Sequence, residues 1–257
     1  MLKKNLLSIL IPFYNEQDFL GRLVERVLDA PLQPGLDREL ILVDDCSTDG
    51  SLEIARSLEA ARPEAVRVFQ HKVNQGKGAA IRTAIAHAQG EYAVIQDADL
   101  EYDPNEIHLL IKPILEGHAD VVFGSRFAPR GERRVLYFWH SVANKFLTLI
   151  CNMACDLNLT DMETCYKAFR NELLKTIPIR SERFGIEPEL TIKVSKRGAR
   201  VYEIPISYHG RTYAEGKKIG LKDAFEALWV IVRFAFTRDI RVDPDRNPQS
   251  GFSRMEM

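Results

Sequence analysis

The chain has 257 residues, 46% of them hydrophobic and 28% charged. Such a composition excludes a disordered chain and suits one large α/β domain, while a net charge of −1 excludes a broad nucleic-acid-binding surface. Four cysteines (Cys46, Cys151, Cys155 and Cys165) form no Cys-x-x-Cys pair and no zinc spacing, so they read as buried thiols in a reducing cytoplasm.

The first eleven residues superficially resemble a leader peptide. However, the apolar run is short and ends in Pro12-Phe13-Tyr14-Asn15-Glu16 without a small-residue cleavage site, so a first core strand over Leu7–Ile11 explains it better. Apolar spacing through Phe19, Leu20, Leu23, Val24, Val27 and Leu28 predicts a helix over Asp18–Ala30. Strands then follow at Glu39–Val43, Val66–Gln70, Tyr92–Gln96 and Asp120–Gly124. Helices alternate with them at Ser51–Ala61, Gly78–Ala88 and Pro104–Gly117. This alternation predicts a mostly parallel, Rossmann-like sheet flanked by helices.

The second half is less regular. Ser141–Leu157 and Pro188–Arg197 read as helices, Thr160–Arg170 as a polar-aromatic connector, and Arg200–Ser207 as a strand. A final helix runs from Leu221 to Phe236, and a polar tail begins beyond Asp239. No stretch reaches the roughly 20 apolar residues that span a bilayer.

In an open parallel sheet, ligands bind beyond the carboxyl ends of the strands. Four polar segments fall there: Pro12–Glu16, Asp44-Asp45, Asn74–Gly78 and Asp97–Glu101. If the last of these is extended, alternate side chains share a direction, so Asp97, Asp99 and Glu101 would converge. Three carboxylates at one point need a cation, and oxygen ligands suit Mg²⁺ or Mn²⁺. Asp44 and Asp45 form a like-charged pair at a strand end, which is costly without a partner. Asn74-Gln75-Gly76-Lys77-Gly78 is not a P-loop, because His71 and Gly78 stand where Gly and Ser or Thr are required. It could still receive an anion at a helix start. Basic residues follow on separate loops: Arg126, Arg130, Arg133 and Arg134, then Arg211, Lys217 and Lys218. A leaving diphosphate would need such partners.

Taken together and in order, Ser8–Glu16, Val43–Gly50, Asn74–Gly78 and Gln96–Leu100 resemble the inverting family 2 glycosyltransferases of the GT-A fold. Gly124-Ser125-Arg126-Phe127 and the loop from Arg211 to Lys218 resemble the branch that makes polyprenyl-phosphate hexoses, such as the dolichyl-phosphate mannose and glucose synthases. The resemblance implies one domain over residues 1–240, with a nucleotide-binding half at 1–128, an acceptor half at 129–240 and a tail at 241–257.

It further implies that Pro12, Tyr14, Glu16 and Asp44 contact the nucleotide of a nucleotide-sugar donor; Asp45 at the strand end and Lys77 at the helix start are further donor-binding candidates from their own positions. Asp97 and Asp99 would serve nucleotide and metal, and Glu101 stands where relatives often place a Gln ligand. Arg126, Arg211 and Lys217 would meet donor or acceptor phosphates. Where the family usually reads Asp-Asp-Gly-Ser, this chain has Asp44-Asp45-Cys46-Ser47.

The implied reaction moves a hexose from a nucleotide-sugar of the GDP-mannose or UDP-glucose type to a polyprenyl phosphate by direct displacement, with Asp99, Arg126 and Arg211 at its centre. A hydroxyl acceptor would instead require a carboxylate base, and Asp161 and Glu187 are the candidates. A nucleotidyltransferase would carry a Gly-rich loop after the first strand, which Pro12–Glu16 is not. A non-catalytic sugar-nucleotide module would not need Asp97 and Asp99 intact.

A lipid acceptor implies a peripheral position on the cytoplasmic membrane face. Leu221, Phe225, Leu228, Trp229, Val232 and Phe236 could form either a membrane-facing or a core-facing stripe. Phe146–Cys151 poses the same alternative.

Overall fold

The structure is a computed structural model that describes residues 2–128, 137–210 and 221–237, the side chains of 221–223 aside. Seven strands form one sheet: β1 (Lys3–Phe13), β2 (Asp37–Asp44), β3 (Val66–Gln70), β4 (Gly90–Ile95), β5 (Val121–Ser125), β6 (Lys167–Arg170) and β7 (Val201–Pro205). Their order across the sheet is β3-β2-β1-β4-β6-β5-β7. All neighbours run parallel except β6, which is antiparallel to both β4 and β5.

The helices are α1 (Leu20–Asp29), α2 (Ser51–Ala61), α3 (Lys77–His87), α4 (Ile107–Leu115), α5 (Phe138–Cys155), α6 (Asn171–Leu174), α7 (Ile186–Lys196) and α8 (Leu221–Phe236). A short 3₁₀ turn, Pro104–Glu106, leads into α4.

The core follows from the composition of the central strands. Leu7, Ile9, Leu10 and Ile11 of β1, and Leu40, Ile41, Leu42 and Val43 of β2, are fully buried. A strand covered on both faces needs a continuous apolar run rather than alternation. The register pairs Phe13 with Asp44 and Asp44 with Gln70, so the first three strands end level. Ile95 pairs with Leu10, which brings the end of β4 to the same edge.

The Thr160–Arg170 segment departs from expectation, because its end is a strand. β6 inserts between β4 and β5, with Ala168 opposite both Val94 and Val122. Its reversed direction carries the preceding residues, 160–166, to the carboxyl edge of its neighbours. Lys167 at its start is fully buried, and its ammonium donates to the carbonyls of Met162 and Thr164 and to Glu187. Those acceptors allow a lysine inside a sheet.

A second, smaller core joins α5, α7 and α8 through Leu147, Cys151, Met162, Ile192, Ala227, Val230, Ile231 and Phe234. α8 therefore does turn one face inward. Among the described residues, no helix is long and apolar enough to cross a membrane.

Candidate active site

The carboxyl edge gathers its loops by hydrogen bonds between them. Asn15 sits in the left-handed region at φ 56°. Its backbone N–H donates to Ser47 Oγ at 3.0 Å, and its side-chain oxygen accepts from the Thr48 N–H at 2.8 Å. The Glu16 N–H donates to Ser51 Oγ at 2.8 Å. The loops after β1 and β2 are thus one surface, with Pro12 buried at its base and Tyr14 exposed on it.

The two adjacent aspartates separate into different roles. Asp44 is fully buried. Its Oδ1 accepts from the Ser47 N–H at 2.9 Å, whereas its buried Oδ2 has no hydrogen-bond partner. An orphaned carboxylate oxygen is costly unless a ligand donor reaches it. Asp45 does not fit the expected nucleotide contact. Its oxygens accept from the Gln75 and Gly76 N–H groups at 2.9 and 2.6 Å, and its Oδ1 lies 2.8 Å from His71 Nδ1. It holds the Asn74–Gly78 loop in place.

That loop is also not an open anion cradle. The Gly78 N–H donates to the Glu182 carbonyl at 2.7 Å, so the first turn of α3 is already capped. Gly76 and Gly78 permit this approach: a Cβ at either position would collide with the backbone carbonyl of Glu182 or Ser181. Residues 180 and 181 are held there by buried Glu189, which accepts from both N–H groups at 2.7 and 2.6 Å.

Lys77 points instead at the acidic segment. Its ammonium lies 2.9 Å from Asp97 and 3.5 Å from Glu187. Burial alone would lower the Lys77 pKa, but Asp97, Cys165 and Glu187 outweigh it and raise it well above the usual lysine value. Lys77 therefore stays charged.

Residues 97–101 form a turn rather than an extended strand, with Leu100 left-handed at φ 59°. Strand alternation therefore does not aim the three carboxylates at one point. Asp97 meets Lys77 and also accepts from Cys165 Sγ at 3.0 Å. Glu101 accepts from the Tyr208 hydroxyl at 2.6 Å. Asp99 Oδ1 accepts from the Glu101 N–H at 3.1 Å. Among the described residues, no three or more His, Cys, Asp or Glu side chains gather as a metal-holding group. The convergence of Asp97, Asp99 and Glu101 expected from strand alternation is therefore not formed among the described residues. Carboxylate oxygens on one turn nonetheless match a hard divalent ion that takes one or two protein ligands and completes its shell with substrate phosphate and water.

Across the site lies a buried ion pair. Arg126 donates through Nε and Nη2 to the two oxygens of Asp161, at 2.6 and 2.8 Å. Asp161 also accepts from the Arg126 N–H and from Asn144 Nδ2, both at 3.1 Å. The Arg126 guanidinium lies 5.2 Å from the Tyr208 ring centre, so Tyr208 links this pair to Glu101. The two expected bases differ: Glu187 keeps an oxygen, Oε1, with no hydrogen-bond partner, whereas both oxygens of Asp161 are engaged. Asp161 is fully buried and saturated, and Glu187 is paired with Lys167.

Sequence reasoning missed Glu163. One of its oxygens, Oε1, is buried without a partner, and burial, followed by neighbouring Glu187, pushes its pKa up to about 7. Its position two residues after Asp161 was the available signal. Arg211 and Lys217, together with Arg130, Arg133, Arg134 and Lys218, lie outside the described residues.

A mostly parallel sheet with an acidic turn after β4 and an antiparallel strand beside it defines the GT-A class of glycosyltransferase. The chain belongs to family 2 within that class: the model described as "Glycosyl transferase family 2" matches residues 8–177. Several of its relatives are named as polyprenyl-phosphate sugar transferases. The dolichol-phosphate mannosyltransferase of Pyrococcus furiosus is 31% identical over 88% of this chain, and this chain spans only 62% of that protein. The undecaprenyl-phosphate 4-deoxy-4-formamido-L-arabinose transferase of Edwardsiella ictaluri is 30% identical, covering 91% of this chain and 69% of its own length. A glucosyl-3-phosphoglycerate synthase from Mycobacterium tuberculosis, solved with UDP, shares the fold at a TM-score of 0.69 and 20% identity, covering 89% of this chain and 79% of that one.

Proposed function

We propose that this chain transfers a hexose from a nucleoside-diphosphate sugar to a polyprenyl phosphate with inversion at the anomeric carbon. The carrying observation is that Asp161 and Glu187, the two expected bases, are each bound to a cation. A phosphate acceptor is already anionic, so it needs positioning and charge complement rather than proton removal. The relatives named above act on polyprenyl-phosphate lipids by their names, which supports the same reading.

In the reaction, an acceptor phosphate oxygen forms a bond to the anomeric carbon. The bond from that carbon to the diphosphate oxygen breaks, and its electron pair leaves with the nucleoside diphosphate. The unpartnered Asp44 Oδ2 accepts a donor N–H or O–H from the nucleoside. Pro12, Tyr14 and Glu16 frame the nucleoside from the loop beside it. Lys77 stays charged and orients Asp97. Arg126, fixed by Asp161, presents positive charge to phosphate, with Arg211 and Lys217 completing that role.

A Mg²⁺ or Mn²⁺ ion would be held by one or two of the carboxylates on this turn, Asp97, Asp99 and Glu101, with phosphate and water as its other ligands, and when bound it would stabilise the departing diphosphate. The M. tuberculosis synthase was solved with Mn²⁺ and UDP in a further complex, which supports this choice.

Glu163 favours one second reading. A carboxyl with pKa about 7 matches a general base, and it would serve a hydroxyl acceptor in place of Asp161 or Glu187. A screen of GDP- and UDP-hexoses against polyprenyl phosphate and sugar acceptors, with and without Mn²⁺, separates the two. Transfer to the lipid phosphate with an inverted anomer is the expected result; transfer only to hydroxyls overturns it. Full activity of Asp99→Ala in the presence of chelator overturns the metal assignment.

A further inference from the structure

Glu101 and Arg126 stand on different loops, after β4 and after β5, and one side chain touches both. The Tyr208 hydroxyl donates to Glu101 Oε2 at 2.6 Å, and the Arg126 guanidinium carbon lies 5.2 Å from the centre of the Tyr208 ring. The ring is itself held. Tyr208 is buried, and the Tyr102 ring lies 5.4 Å away at 49°. Gly210 packs so closely that a Cβ there would fall 2.5 Å from Tyr208 Cε1. The backbone that carries the ring is anchored as well. Tyr102 and Tyr208 pair as an antiparallel bridge, and the His209 N–H donates to the Glu101 carbonyl at 2.8 Å. Glu106 accepts from the Ser207 N–H and hydroxyl at 2.8 and 2.9 Å. The Ile206 N–H donates to the Ser125 carbonyl at 3.0 Å. The segment 206–209 is therefore tied to the loop after β4 and to the end of β5 at once, although it lies beyond β7, which ends at Pro205.

We propose that Tyr208 is a positioning residue that sets the separation between the acidic turn and Arg126: its hydroxyl aims the Glu101 carboxylate at a divalent ion on the donor diphosphate, while its ring face seats Arg126 for the acceptor phosphate. The acceptor half rests on the phosphate-acceptor reading above; the hold on Glu101 does not. In a direct displacement the entering and leaving oxygens lie on opposite sides of the anomeric carbon. The charges that serve them must keep a fixed distance, and an error of about 1 Å can cost about a hundredfold in rate. A tyrosine suits this task. Its ring is rigid and its side chain has only two soft torsions. The ring face attracts a guanidinium, and the hydroxyl donates to a carboxylate. Phenylalanine would keep the first contact and lose the second, so the two roles can be separated.

Two readouts test this in the full chain. Electron paramagnetic resonance of Mn²⁺, with UDP and separately with GDP present, measures metal binding without turnover. The KM for a short-chain prenyl phosphate measures the acceptor side. Tyr208→Phe should weaken Mn²⁺ binding about tenfold, the worth of one hydrogen bond to a charged group, and leave the acceptor KM within about twofold because the ring remains over Arg126. Tyr208→Leu should weaken Mn²⁺ binding as much and also raise the acceptor KM about fivefold. Both variants should keep the circular dichroism of the wild type.

Unchanged Mn²⁺ binding in Tyr208→Phe overturns the proposal. So does an equal loss in both readouts for Tyr208→Phe, which would mark a general packing role. A wild type that binds no Mn²⁺ with either nucleotide overturns it together with the metal assignment. If Tyr208→Phe weakens Mn²⁺ binding but the wild type glycosylates no prenyl phosphate, the hold on Glu101 stands and the acceptor reading fails.

Discussion

Arg126 and Asp161 meet as a bidentate pair, with donor–acceptor distances of 2.6 and 2.8 Å, and Asp161 has no exposed surface. Removing one partner strands the other charge. Asp161→Ala should therefore cost about 3–5 kcal/mol of stability, the range for breaking a buried pair. Chemical denaturation measures this; a change below about 1 kcal/mol would mean that solvent reaches the arginine.

Asp44 supplies a prediction that separates binding from chemistry. Its Oδ1 is engaged by Ser47 and its Oδ2 is unpartnered. Asp44→Ala should raise the donor KM about tenfold, roughly one hydrogen bond to a charged acceptor, with kcat nearly unchanged. Equal losses in kcat and kcat/KM would place Asp44 at the reacting atoms instead.

The elevated Glu163 pKa fixes the sign of a pH effect. Its carboxyl moves from an ordinary 4.5 up to about 7 in the folded protein. Between those values the folded state holds a proton that the unfolded chain has lost, so stability falls as pH rises through the window. The full loss is about 3 kcal/mol on the high side. Glu163→Gln should match wild type in acid and exceed it in Tm above neutrality. Parallel melting curves for the two proteins across that range would refute the shift.

Gly78 tests the loop packing. An added Cβ would meet the Ser181 backbone carbonyl, and backbone cannot rotate away as a side chain can. Gly78→Ala should destabilise by about 1–3 kcal/mol, as overpacking does. It should also weaken donor binding through displacement of Lys77. A neutral effect in both assays would show that residues 180–183 shift freely.

Much of the nucleotide half was legible because local pattern and tertiary role agree there. The apolar runs of β1, β2 and β4 could only be doubly covered strands, and polar residues directly after them could only lie at the ligand edge. Asp97 was readable in position but not in partner, because Lys77 lies twenty residues away at the start of α3. β6 was not legible at all. Lys167 and Arg170 disguise a four-residue strand, and Lys167 is tolerated only because residues 162, 164 and 187 supply its acceptors.

By itself, then, the sequence determined the strand–helix alternation, the edge on which the polar loops gather, and the family. Those depend on short-range periodicity and on motifs whose residues are neighbours in the chain. Only the tertiary structure decided that Asp45 clamps a loop while Asp44 keeps an open oxygen, that Asp161 is locked to Arg126, and that α8 turns one face inward. Each of these turns on which distant group fills a hydrogen bond or covers a surface, and no local pattern encodes that.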